Sequence, residues 1–176
     1  MRKKHVRNLT AGCAAFMAAA FVVSAGFSKT AFADEADKTT LVYGSTDYTR
    51  INPAMDEHCE INVLLFDGLT DHDGDNQIIP RLAKSWEYDE ENLTYTFHLE
   101  EGVKWHDGEP FTAEDVKFTF EAIMDPANES ENAPDYEDIE SIEVIDEHTV
   151  AFHLSNVNTA FLEYMTKPVM PKHLLE

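Results

Sequence analysis

Hydrophobic and polar side chains alternate most regularly between residues 93 and 99. There Leu93, Tyr95, Phe97 and Leu99 interleave with Thr94, Thr96 and His98, and a period of two predicts a half-buried strand. After Thr112 the period becomes helical. Val116, Phe120 and Ile123 fall on one face and Lys117 and Glu121 on the other, which predicts a helix over residues 112–124. Thr112 stands three residues before Asp115, a shortened form of the capping box in which a hydroxyl and an acid satisfy free N–H groups reciprocally. Between strand and helix, Asp107-Gly108 predicts a tight turn, because glycine accepts the positive φ that other residues resist.

Weaker patterns fill the rest of the chain. Residues 39–45 predict a first strand, with Leu41 and Tyr43 on one face and Val42 on the other. A loop over 46–56 follows, in which Pro53 biases Asn52 toward extended geometry. Residues 57–66 predict a short helix with Ile61, Leu64 and Leu65 on one side, closed by Asp67-Gly68. Short strands are expected at 69–71 and 77–79 around an Asp-Gly turn, then a helical turn at 82–85 and a strand from Trp86 to Asp89. Downstream, residues 126–134 form an acidic loop rich in helix breakers. Residues 139–145 and 149–154 predict a hairpin around Asp146-Glu147-His148, with Val150, Phe152 and Leu154 buried. A further helix spans 159–165 before Pro168 and Pro171 interrupt the chain, and residues 172–176 look like the start of another. No repeat or heptad is present, and strands alternating with short helices indicate a mixed α/β or α+β fold.

The N-terminus carries an export pattern. Arg2, Lys3, Lys4 and Arg7 form a basic region, residues 11–26 are mostly apolar, and Ala31-Phe32-Ala33 supplies small residues for cleavage. The apolar run is short for a membrane span, which needs roughly 20 residues. Residues 1–33 are therefore expected to be a cleaved signal peptide, with Asp34 the mature start and residues 34–38 a disordered leader. A lipoprotein signal at residues 9–13 is the alternative, but Cys13 precedes most of the apolar run instead of following it.

Charge narrows the partners. The chain has 34 acidic and 13 basic residues, a formal net charge of −21; the leader holds five basic residues and no acid, so without it the charge is −26. Such a surface repels nucleic acid and anionic membranes. Only Cys59 follows the leader, so no internal disulfide is expected. A small buried apolar role suits Cys59, with a ligand-facing or disulfide role as the alternative.

Candidate chemistry is sparse. Asp71-His72-Asp73-Gly74-Asp75-Asn76 invites a calcium reading, but position six is Asn76 instead of Gly and position twelve is Leu82 instead of Glu, so a solvated turn is expected. His58, His72, His98, His106, His148, His153 and His173 include no i, i+4 pair, and there is no Cys-x-x-Cys. No metal or cofactor is expected. Nucleophile elbow, P-loop and dinucleotide-binding glycines are all missing, and with 34 acids a chance carboxylate pair carries no information. A non-enzymatic role follows.

Three stretches point to a family: Tyr95-Thr96-Phe97-His98-Leu99, Gly102-Val103-Lys104-Trp105-His106-Asp107-Gly108 and Pro110-Phe111-Thr112-Ala113-Glu114-Asp115-Val116. Residues 80–87, Asn52-Pro53 and Pro171-Lys172-His173 accompany them at suitable distances. Together they closely resemble the family-5 extracytoplasmic solute-binding proteins of ABC importers, the oligopeptide, dipeptide and nickel binders. Glu100 departs from the pattern, where relatives carry a basic residue, and this changes surface charge alone.

The resemblance implies a periplasmic-binding-protein-like (type II) lobe over residues 39–176, cut short before a second lobe that would close the ligand cleft. It implies that Ser45, Thr46, Asp47 and Tyr48 contribute to the cleft wall, and that the groups clamping peptide termini lie beyond Glu176. Trp105, His106, Asp107, Gly108, Thr112 and Asp115 are then architectural, with the His106 imidazole bonding turn carbonyls. His58, with Cys59, is a soft donor suited to a nickel chelate. Short peptides are the expected ligand, nickel or a nickel chelate the alternative, and ABC permease subunits the membrane partners of a monomer. From other classes, an acidic calcium-dependent cell-surface interaction module and, more remotely, a secreted glycoside hydrolase are the competing readings.

Overall fold

The computed structural model describes Gly44, residues 52–54 and residues 61–176. The chain divides into two units, residues 1–44 and 45–176; apart from Gly44, all described residues belong to the second. The expected signal peptide, the leader, the first strand apart from Gly44, and residues 57–60 of the 57–66 helix lie outside the described residues.

Within the second unit the elements are α1 (Asn62–Leu65), β1 (Thr70–His72), β2 (Ile78–Pro80), β3 (Ala83–Asp89), β4 (Thr94–Leu99), α2 (Ala113–Met124), β5 (Ile139–Asp146), β6 (Thr149–Leu154), α3 (Phe161–Tyr164) and α4 (Lys172–Leu175). Two 3₁₀ turns, Pro126–Asn128 and Ala133–Tyr136, give local order to the breaker-rich loop. None of the helices among the described residues is long and apolar enough to cross a membrane.

Four strands form one antiparallel sheet in the order β3-β4-β6-β5, and β1 and β2 make a separate hairpin. The alternation in β4 sorts as the pattern requires: Tyr95, Phe97 and Leu99 are buried, and Thr94, Thr96 and His98 are half-buried on the other face. Val150, Phe152 and Leu154 of β6 join the buried side, where Val116, Phe120 and Ile123 of α2 cover them. Phe152 is the hub, meeting Phe97 at 5.6 Å, Phe120 at 5.2 Å and Phe161 at 5.6 Å, all near edge-to-face, the geometry that aromatic quadrupoles favour.

Several expectations need correction. Residues 82–85 are not helical: Ala83 already pairs with Leu99, and a bulge between Ala83 and Ser85 starts β3 irregularly. Inter-strand bonding there overrides a weak local helical preference. Leu93 does not extend the buried face of β4. It takes φ +49° in the turn after Asp89, whose carboxylate accepts the backbone N–H groups of Glu91 and Asn92. Leu64 is 48% exposed, so the apolar side expected for the first helix is not wholly buried. The two short strands sit one residue later than expected, and the helix expected at 159–165 shrinks to α3.

The β1–β2 hairpin is sewn to α3 through backbone. The N–H groups of Leu69 and Thr70 both donate to the Met165 carbonyl, and the Thr70 hydroxyl donates to that of Leu162. Gly68 permits this approach, since a Cβ there would lie 2.5 Å from the Thr166 carbonyl oxygen. At the hairpin tip the Asp73 carboxylate accepts N–H groups from Asp75 and Gln77, both at 2.9 Å. The acidic stretch at 71–76 is thus an Asp-stabilised turn, and no His, Cys, Asp or Glu group among the described residues is arranged to hold a metal.

Candidate functional site

The Trp-His-Asp-Gly stretch folds into a small hairpin between β4 and α2. Trp105 N–H donates to the Glu109 carbonyl at 2.8 Å, Gly108 N–H donates back to Trp105 at 2.9 Å, and Lys104 bridges Pro110. Gly108 sits at φ +97°, the conformation that requires glycine. Asp107 accepts the Glu109 N–H within the turn. Trp105 packs edge-on against Phe111, centroids 6.0 Å apart, and Phe111 N–H closes onto the Val103 carbonyl. The His106 imidazole is exposed and makes no bond to a turn carbonyl, contrary to expectation; Asp107 and the backbone supply the turn's bonds instead.

Asp115 holds the start of α2 and much else. Its Oδ2 accepts the Thr112 N–H at 2.9 Å, the Thr112 hydroxyl donates to the same oxygen at 3.4 Å, and the capping box is formed. Its Oδ1 accepts the Lys172 N–H at 2.9 Å, and its backbone carbonyl accepts the buried Thr119 hydroxyl at 2.8 Å. Thr119 in turn accepts the Met170 N–H. One buried acid therefore satisfies free donors at the helix end and also fixes a segment 57 residues downstream.

That segment brings two distant motifs together. Lys172 Nζ pairs with Glu114 at 3.1 Å, and His173 Nε2 donates to Asp107 Oδ2 at 2.7 Å. The bond from His173, reinforced by the Glu109 N–H, holds the Asp107 carboxyl below its ordinary value, and the bond to Asp107 raises the His173 imidazole above its own. Glu114 likewise raises the Lys172 ammonium.

Ser45, Thr46, Asp47, Tyr48, His58 and Cys59 lie outside the described residues. The segment just beyond the first four is described, and it is firmly held. The Asn52 side chain accepts the Ala54 N–H at 3.0 Å. The buried Ala54 carbonyl accepts the Ser130 hydroxyl, in a short bond, and the Asn132 amide at 3.4 Å. Lys167 Nζ donates to Asn132 Oδ1 at 2.6 Å. Sequence reasoning missed Ser130, Asn132 and Lys167, which sit among breakers and carry no periodicity. Buried polar groups of this kind must be paired, and pairing across 76 residues leaves no local signal.

An open groove of about 710 Å³ lies on the face of the four-stranded sheet opposite α2, bounded by Glu87, Asp89, Thr94, Thr96, Ser141 and His153 among others. Trp105, His106, Asp107, Gly108, Thr112 and Asp115 are not among the described residues that line it. His153 is engaged there with Thr94 at 3.0 Å and Glu143 at 3.4 Å.

Comparisons with known proteins converge on one family. Residues 77–173 match the bacterial extracellular solute-binding proteins, family 5 Middle, a stretch that contains the motif hairpin, α2 and Lys172-His173. Di/tripeptide-binding protein 1 of Pseudomonas aeruginosa is 37% identical, over 59% of this chain and 23% of its own length. NikZ from Campylobacter jejuni, solved in complex with Ni(L-His), superposes with a TM-score of 0.71 at 40% identity, over 74% of this chain and 27% of that one. The oligopeptide-binding protein AppA from Bacillus subtilis, solved with a nonapeptide, gives 0.66 at 29% identity, over 70% and 26%. The fold is thus that of the type II periplasmic binding proteins, and this chain spans about a quarter of each of these relatives. The chain belongs to the bacterial extracellular solute-binding proteins of family 5.

Proposed function

We propose that this chain forms part of the extracytoplasmic substrate-binding component of an ABC importer that captures short peptides. The observation that carries this is the family match over residues 77–173, joined to relatives whose names and bound ligands are peptides. In this proposal the described unit is part of a first lobe, residues 45–48 line the cleft, and Ser130, Asn132 and Lys167 steady the adjoining turn at Asn52–Ala54. A peptide lying along an extended wall segment pairs with it as an added strand does. Closure of a second lobe converts occupancy into a shape that a permease recognises. The receptor is monomeric and follows an export signal.

A nickel-chelate receptor is the second reading, favoured by the 40% identity to the protein solved with Ni(L-His); His58 and Cys59 are its candidate donors. Small-ligand sites enclose most of the ligand, so one wall alone should bind peptides only at about millimolar concentration. Titration of the chain with a mixture of di- to pentapeptides, followed by NMR shifts, should move residues 52–54 and 130–132 saturably, and Ni(L-His) should not. Shifts produced by Ni(L-His) alone would replace the peptide assignment with the nickel one, and affinity equal to that of the P. aeruginosa relative would remove the need for a second lobe.

A further inference from the structure

The segment from Met170 to His173 is fastened by two kinds of contact. Two are bonds from backbone amides, Met170 N–H to the Thr119 hydroxyl and Lys172 N–H to Asp115, and they are buried or partly so. Two more reach outward: Lys172 Nζ pairs with Glu114, and His173 crosses to Asp107 at the tip of the motif hairpin, with side chains 32% and 41% exposed. Directly after it come Leu174 and Leu175, 64% and 51% exposed. The amide bonds hold the start of this segment, and the His173 bond joins it to the motif hairpin.

We propose that Asp107 and His173 form a pH-responsive latch that fixes the direction of α4 against the motif hairpin. Every element around His173 bears on its charge. The hairpin contributes Asp107 and Glu109, and α2 contributes Asp115, all of which favour the imidazolium. Glu114 is engaged with Lys172, the one cation beside His173 on its own element, where Glu176 also lies.

The sign follows from both partners. His173 is raised, so its contribution is complete below the ordinary histidine value of 6.5 and is lost as pH rises through the raised midpoint. Asp107 is lowered, so its contribution is complete above 3.8 and is lost as pH falls through the lowered midpoint. Between these two values the latch carries full charge on both sides. Above the His173 midpoint a neutral imidazole still donates to the Asp107 carboxylate, but the charge is then on the acceptor alone. The Lys172 ammonium, raised by Glu114, keeps its charge across the His173 midpoint, so the contact that changes there is the one from His173.

The test uses the whole chain. Histidine ring NMR should place the His173 midpoint above 6.5. The Leu174 and Glu176 amides donate to Pro171 and Lys172 inside α4. Their protection from hydrogen exchange, corrected for the intrinsic pH dependence, should fall about two- to fivefold across that midpoint, the range an exposed pair supports. The Met170 and Lys172 amides should keep theirs. In Asp107→Asn the midpoint should return toward about 6.5. Because Asp107 also accepts within its turn, His173→Gln is the second variant; it leaves the hairpin intact and should make α4 protection flat with pH. A wild-type midpoint at or below the ordinary value, protection that ignores the midpoint, or a pH response surviving in His173→Gln would overturn the latch.

Discussion

Asp115 shows how much one side chain can organise. A capping acid normally serves the helix that it begins, but here each carboxylate oxygen takes a different backbone N–H, one from Thr112 and one from Lys172. Thr112 contributes a weaker contact, its hydroxyl lying 3.4 Å away. Thr112→Ala should therefore cost near the lower end of the about 0.5–2 kcal/mol typical of caps. Asp115→Ala should cost about 2 kcal/mol or more, because it strands two donors that water reaches poorly. Urea unfolding of both variants checks the order; equal losses would mean that the Lys172 contact contributes nothing.

At the scale of elements, stability should concentrate where α2 crosses the sheet. Phe152 touches rings from β4, α2 and α3, so Phe152→Ala should cost about 3–5 kcal/mol. Lys117→Ala, which breaks a surface i, i+4 pair at 3.8 Å, should cost under about 0.5 kcal/mol. Thermal unfolding separates the two, and a small loss at Phe152 would show that its cavity collapses freely. These are also the elements that the sequence made plainest. Alternation in β4 and β6 and the 3.6-residue period of α2 are written in side chains that answer to burial alone. Residues 82–85 failed because strand pairing with Leu99, which no local pattern records, outweighed propensity. The polar fastening of Ala54 by Ser130 and Asn132 was invisible for the same reason. Of the site, the turn and the cap were legible from spacing; the meeting of Asp107 with His173 was not, since 66 residues separate them.

For the whole molecule, the basic, apolar and Ala-x-Ala succession predicts that material secreted by the native host begins at Asp34. Mass spectrometry of the exported N-terminus decides this: a lipid-modified Cys13 would convert the protein into an anchored one, and a retained Met1 would remove the export assignment. The strand order has a consequence of its own for biosynthesis. β4 lies between β3, its predecessor in the chain, and β6, the last of the four described strands to be made. While the ribosome is still making α2 and β5, one edge of β4 has no partner for its N–H and C=O groups, and Phe97 lacks the cover of Phe152. The central seam of the sheet can close only after Leu154 has emerged, so throughout that interval the nascent chain presents an open, aromatic-rich strand edge to whatever receives it.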